Sequence, residues 1–150
     1  LQGQSSGVEW FLLAAKQRLQ SIFSAHDLLI PVPMPIHRMR RSGLHHSADL
    51  CQQIAHITGC RFDWEILRRT GSNTRQSSLK GKARQQNLCK AFTLAHDYRN
   101  KLNVHNVKGK IWLIDDILTT GATLGHASKA MTRTRHDVYA FSFARKLQEK

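Results

Sequence analysis

Two adjacent carboxylates, Asp115 and Asp116, follow the apolar run Ile111–Ile114 and precede Ile117-Leu118-Thr119-Thr120-Gly121-Ala122-Thr123. In open α/β sheets, ligands bind beyond the carboxyl ends of the strands. Paired acids at that edge can accept hydrogen bonds from both hydroxyls of a ribose. The turn after them offers backbone N–H groups and the hydroxyls of Thr119, Thr120 and Thr123. Gly121 lets the backbone curl close to an anion. A helix starting at Ala122 adds its positive end, which favours a phosphate. One ligand carrying a ribose diol and a 5′-phosphate would engage both halves.

Two other readings compete. A strand ending in Asp-Asp also occurs in the Walker B element of ATPases, but that needs a G-x-x-x-x-G-K-[ST] loop, and the sequence has none. A plain solvated strand end with a helix cap needs only one acid. It also leaves the Thr-Thr-Gly-x-Thr sequel without a purpose.

Positive charge is the second signal. Lys and Arg total 23 against 10 Asp and Glu, a formal charge of +13, which favours phosphorylated ligands or nucleic acid. No acid occurs from Ile66 to His96, a stretch holding Arg68, Arg69, Arg75, Lys80, Lys82, Arg84 and Lys90. A second knot is Arg38, Arg40 and Arg41. Arg40, Arg41, Arg75, Lys80 and Lys82 are candidate contacts to a single-stranded DNA backbone.

The elements that must position these residues alternate. Apolar spacing predicts a helix over 8–24 and a buried strand over Leu28–Val32. Pro31, Pro33 and Pro35 end that strand, and Met34–Ser42 reads as a basic loop. A helix over Gly43–Thr58 stops at Gly59. Glu65–Arg68 reads as a strand, Gly71–Ser78 as a loop, Leu79–Lys90 as a polar helix and Ala91–Leu94 as a short strand or hairpin arm. Asp97–Lys108 is polar with a turn near Val107–Lys110. Ile111–Ile114 is the clearest strand, Asp115–Gly121 a loop, Ala122–Arg133 a helix and Val138–Ala144 a last strand. The alternation predicts an α/β domain with a mostly parallel sheet flanked by helices.

At 150 residues the chain has the length of one domain. Leu1–Gly7 reads as a tail or cloning scar, leaving 8–150 as the domain. No apolar run approaches the roughly 18 residues that span a bilayer, so no membrane partner is expected. Cys51, Cys60 and Cys89 form no C-x-x-C pair, which fits reduced thiols in the cytoplasm better than a disulfide framework or a zinc site. The histidines show no metal-ligand spacing. Trp112, inside the best strand, is expected in the core.

Residues 111–123 resemble the 5-phosphoribosyl-1-pyrophosphate (PRPP) signature of type I phosphoribosyltransferases. Two further stretches resemble the ComF competence branch. One is Ile30-Pro31-Val32-Pro33 with Arg38, Arg40 and Gly43; the other is Gln76, Leu79, Arg84, Asn87 and Ala91-Phe92. The likeness covers about residues 8–145. It departs at His45-His46, where the branch usually has Asn-Gln, and at Ser42, where a basic residue is common. The N-terminal cysteine zinc module carried by many members is not in this sequence.

The resemblance implies the type I phosphoribosyltransferase fold and a role for each segment. Asp115 and Asp116 would hold the ribose, and Leu118, Thr119, Thr120, Gly121, Ala122 and Thr123 would wrap the 5′-phosphate. Val32, Pro33, Met34 and Arg38 would form the pyrophosphate loop, and Gln76 and Arg84 would belong to a flexible loop over the site. Mg²⁺ would arrive with PRPP, with no metal site built from protein alone. Two functions stay open: a phosphoribosyltransferase releasing pyrophosphate, or a non-catalytic single-stranded DNA-binding module that uses the fold to sense a metabolite or hold a nucleotide. The family context adds natural transformation and a helicase-like competence protein as a partner. The acceptor and any catalytic residue are left undetermined.

Overall fold

A computed structural model describes residues 5–43, 45–70 and 91–145 of the chain. Its elements are α1 (Ser5–Ala14), α2 (Lys16–Ile22), β1 (Leu28–Pro31), α3 (Ile36–Ser42), α4 (His46–Thr58), β2 (Arg61–Phe62), β3 (Leu67–Arg69), β4 (Phe92–Leu94), α5 (Tyr98–His105), β5 (Ile111–Leu118), α6 (Ala122–Met131), a 3₁₀ turn (Thr132–Thr134) and β6 (Val138–Arg145). Four strands form one parallel sheet in the order β2-β1-β5-β6, and β3 and β4 make a separate antiparallel pair. This is the α/β architecture expected from the strand–helix alternation, with a parallel sheet between helices.

Period-two alternation divides the core between the two faces of the sheet. Leu28, Ile30, Ile111 and Leu113 meet Leu124, Ala127 and Met131 of α6, Leu102 of α5, and Leu67 and Phe92 of the β3–β4 pair. Leu29, Trp112 and Ile114 meet Leu12 of α1, Leu19 of α2, and Leu50 and Ile54 of α4. Trp112 is buried, as its strand position implied. Its indole N–H donates to Asp27 Oδ2 at 2.9 Å, and that carboxylate also accepts from Ser24 N at 3.0 Å and Lys110 N at 2.8 Å. The Asp27 side chain therefore ties the start of β1 to the start of β5. A Cβ on Gly109 would lie 2.2 Å from Asp27 Oδ1, so only glycine lets the chain pass this carboxylate.

Pro31 sits inside β1, where it is buried and registers with Ile114. The N–H groups of Leu28 and Val32 point at β5, donating to Lys110 O and Ile114 O. By alternation the Pro31 nitrogen points towards β2, whose ladder with β1 ends at Leu29–Phe62. The proline thus removes a donor that would have had no partner strand.

Several boundaries differ from the sequence reading. The first helix begins at Ser5, taking in part of the segment set aside as a tail, and breaks at Ala15 (φ −87°, ψ 6°). Phe11 is exposed and packs edge-to-face on Phe143 with ring centroids 5.1 Å apart. The segment read as a basic loop contains α3. Its last turn carries Arg40 and Arg41 beside the carbonyl end of the helix dipole, and Gly43 caps it. The helix α4 stops at Gly59, as expected. The polar stretch after Asp97 is helical as α5. Gly71–Lys90, including the loop and polar helix expected there, lies outside the described residues.

Candidate functional site

Chain order reverses between β1 and β5: β1 leads through α3 and α4 to β2 on one side, and β5 leads through α6 to β6 on the other. Such a switch point leaves a crevice at the carboxyl ends of the two strands. Asp115 and Asp116 stand at this point. They belong to β5 itself, which runs on to Leu118 and corrects the expectation of a loop starting at Asp115. The added length comes from β6, which pairs with β5 from Ile111–Val138 to Leu118–Arg145. On the other side β1 has already ended, with Val32 N donating to Ile114 O at 2.8 Å. The acids are thus supported on one flank and open on the other.

The two carboxylates have different surroundings. Asp115 Oδ1 accepts from the backbone N–H of Asp116 at 3.1 Å and from Ser47 Oγ at 3.5 Å. Burial, then the adjoining Asp116 carboxylate, push the Asp115 carboxyl up from 3.8 to about 6, against the smaller opposing effect of the Asp116 N–H and Ser47 bonds. Ser47 is buried in the first turn of α4 and was not singled out in the sequence. Serine in the first turn of a helix is a common helix-start signal, but the 68 residues separating it from Asp115 hide their meeting.

Gly121 adopts φ 75°, the left-handed conformation that glycine takes without strain, and turns the chain from β5 into α6. Thr120 Oγ1 accepts from Ala122 N at 3.4 Å, and the first helical bond runs from Gly125 N to Gly121 O. No side chain at Gly121 caps α6, so the first turn keeps N–H donors for an incoming anion. Thr119, Thr120 and Ala122 are exposed, and Leu118 and Thr123 half-buried, around this start.

The segment after β1 comes alongside. Val32 is next to Ile114, and Met34 N lies 3.5 Å from His45 Nε2. His45 is the N-cap of α4, with Nδ1 accepting from Ala48 N at 3.1 Å. The Met34 N–H points at Nε2 and the Ala48 N–H at Nδ1, so the two donors compete for the single acceptor nitrogen of a neutral ring. His45 was noted in the sequence only as a departure from the family pattern.

Arg40 and Arg41 are exposed on the last turn of α3. The side chain of Arg38 and the whole of Arg75, Gln76, Lys80, Lys82 and Arg84 lie outside the described residues. Among the described residues no cluster of three or more His, Cys, Asp or Glu side chains is placed to hold a metal, and no helix is long and apolar enough to cross a membrane.

No protein-family model matches the chain. Over 107 residues, 71% of its length, it is 31% identical to the DNA utilization protein YhgH of Salmonella typhi and 33% identical to competence protein F of Haemophilus influenzae. The corresponding YhgH protein of Escherichia coli O6:H1 is 32% identical over the same length. The chain belongs to the ComF family. The matched segment covers 44% of each relative, so this ComF-family chain spans less than half the length of the relatives it matches. The paired-acid strand and glycine-turned helix are the features of this ComF-family chain that lend themselves to ligand chemistry.

Proposed function

We propose that this chain binds PRPP, or another ribose 5-phosphate ligand, at the β5–α6 junction and acts in DNA uptake during natural transformation. One observation carries the reading: Asp115 and Asp116 leave the end of β1 behind at a switch point and run straight into a glycine-turned helix start with free donors. The carboxylates would accept the ribose hydroxyls. The Thr119–Thr123 turn and the first N–H groups of α6 would hold the 5′-phosphate. The Val32–Met34 segment after β1 would meet the pyrophosphate side. Mg²⁺ would be held mainly by ligand oxygens, with the Asp115 and Asp116 carboxylates as its protein neighbours, and would supply charge neutralisation of the phosphates.

The relatives' names, DNA utilization protein and competence protein, support the DNA-uptake role. A sugar-phosphate ligand and two free buried thiols, Cys51 and Cys60, go with a cytoplasmic site of action. A helicase-like competence protein is the partner that such a role would need. The +13 charge favours a second reading, in which the chain is a single-stranded DNA-binding module that performs no transfer.

Calorimetric titration with PRPP and Mg²⁺ tests the site. Wild type should bind, and the Asp115→Asn/Asp116→Asn pair should lose at least tenfold in affinity. Equal binding by both would remove the site. Pyrophosphate release with a panel of bases separates the transferase from the module.

A further inference from the structure

Beyond the paired acids, the described residues contain a basic groove at the opposite end of α6. It has a volume of about 480 Å³ and lies between α5 and the turn that follows α6. Tyr98, Arg99, Asn103, Arg133, Arg135 and His136 line it, and no carboxylate does. Asp97 and Asp137 flank these residues in sequence, but none of the three arginines forms an ion pair among the described residues. Positive charge held together without counter-charge costs self-repulsion, which a bound polyanion relieves.

The groove is pre-shaped. Thr134 is buried, and its hydroxyl donates to Met131 O at 2.8 Å and accepts from His136 N at 3.4 Å. His136 Nδ1 lies 2.9 Å from Thr134 O, and since a carbonyl only accepts, Nδ1 carries the proton. These bonds fix the turn that displays Arg133 and Arg135. Arg135 adopts φ 60°, where asparagine or glycine is less strained, so the backbone alone does not account for an arginine there. Across the groove, the Arg99 guanidinium lies 5.7 Å from the Tyr98 ring centroid, and its Nε donates to Tyr98 Oη at 3.1 Å. The Arg99 guanidinium, held over the Tyr98 ring, presents a plane on which a base stacks, while the facing arginines suit phosphodiesters.

We propose that this groove is a docking surface for single-stranded nucleic acid. The proposal rests on the DNA-handling part of the function above and assigns it a place. Ten residues of α6 put the groove about 15 Å from the Thr119–Thr123 turn, so a strand and a sugar phosphate could be held together.

The test is fluorescence anisotropy of a labelled oligothymidine of about 20 nucleotides against the full chain over a salt series. The groove variant is Arg133→Gln/Arg135→Asn, since asparagine tolerates the left-handed position and keeps the fold. A charge-matched control is Lys16→Gln/Arg18→Gln, exposed on α2. The groove variant should bind about tenfold more weakly at low salt. The slope of log affinity on log salt should fall by about 1.4, about 0.7 for each lost phosphate contact. The control should bind as wild type does. If wild type binds and the groove variant matches it, or the control loses as much, the groove is wrong and the DNA-handling reading survives. If wild type shows no salt-dependent binding, both fall.

Discussion

The cost of ionising Asp115 makes a sharp prediction. Its carboxyl titrates near 6 in the folded chain against 3.8 as the ordinary value, because burial and the Asp116 carboxylate both oppose its charge. The folded state therefore holds this proton more tightly than the unfolded state. Its contribution to stability is complete below about pH 4, is lost as pH rises through 6, and leaves a penalty above that. At 1.36 kcal/mol per pH unit the gap is worth at most about 3 kcal/mol. Asp115 is only half-buried, so solvent screening brings the figure to about 1–2 kcal/mol. Asp115→Asn keeps an oxygen for the Asp116 N–H and Ser47 hydroxyl and removes the charge. The variant should therefore be more stable than wild type by about 1–2 kcal/mol at pH 8, or about 3–6 °C in Tm for a chain of this size. At pH 4 the two should coincide. Urea unfolding followed by tryptophan fluorescence at pH 4, 6 and 8 measures the difference. A variant no more stable than wild type at pH 8, or a difference equal at every pH, would refute the reasoning. The same substitution should weaken PRPP binding, which would mark Asp115 as a side chain kept at the expense of stability.

Three further outcomes follow from the geometry. Ser47→Ala removes a bond that favours the ionised Asp115 carboxylate, so the pH below which PRPP affinity declines should move upward in a calorimetric pH series, while Tm changes little. Gly121→Ala forces a side chain into φ 75° with only Leu118 Cδ1 nearby, at 3.7 Å, so strain rather than collision should cost about 1 kcal/mol in chemical unfolding and should also weaken phosphate binding. Asp27→Ala strands the Trp112 indole N–H in a buried place and should cost about 3–4 kcal/mol, read as an earlier urea midpoint with a changed tryptophan emission.

What the amino-acid order determined was local. The apolar run Ile111–Ile114, the acids after it, Gly121 and the helix from Ala122 are contiguous, so their spacing alone announced a strand, a turn and an anion-facing helix start. Pro33 and Pro35 likewise marked the end of β1, and Gly59 the end of α4, because each residue acts on its own backbone angles. Local pattern misread Met34–Ser42 as a loop, since its charges hid a helix that exposes Arg40 and Arg41. Only tertiary structure decided the rest. β5 continues through Asp115 and Asp116 because β6 pairs with it there while β1 stops short. Ser47 reaches Asp115 across 68 residues, and Asp27 reaches Trp112 across 85. Tyr98 meets the Arg133 turn only because α5 and α6 pack on one face of the sheet. Hydrogen bonds and desolvation depend on distance in space, and the fold alone sets that distance for residues far apart in the chain.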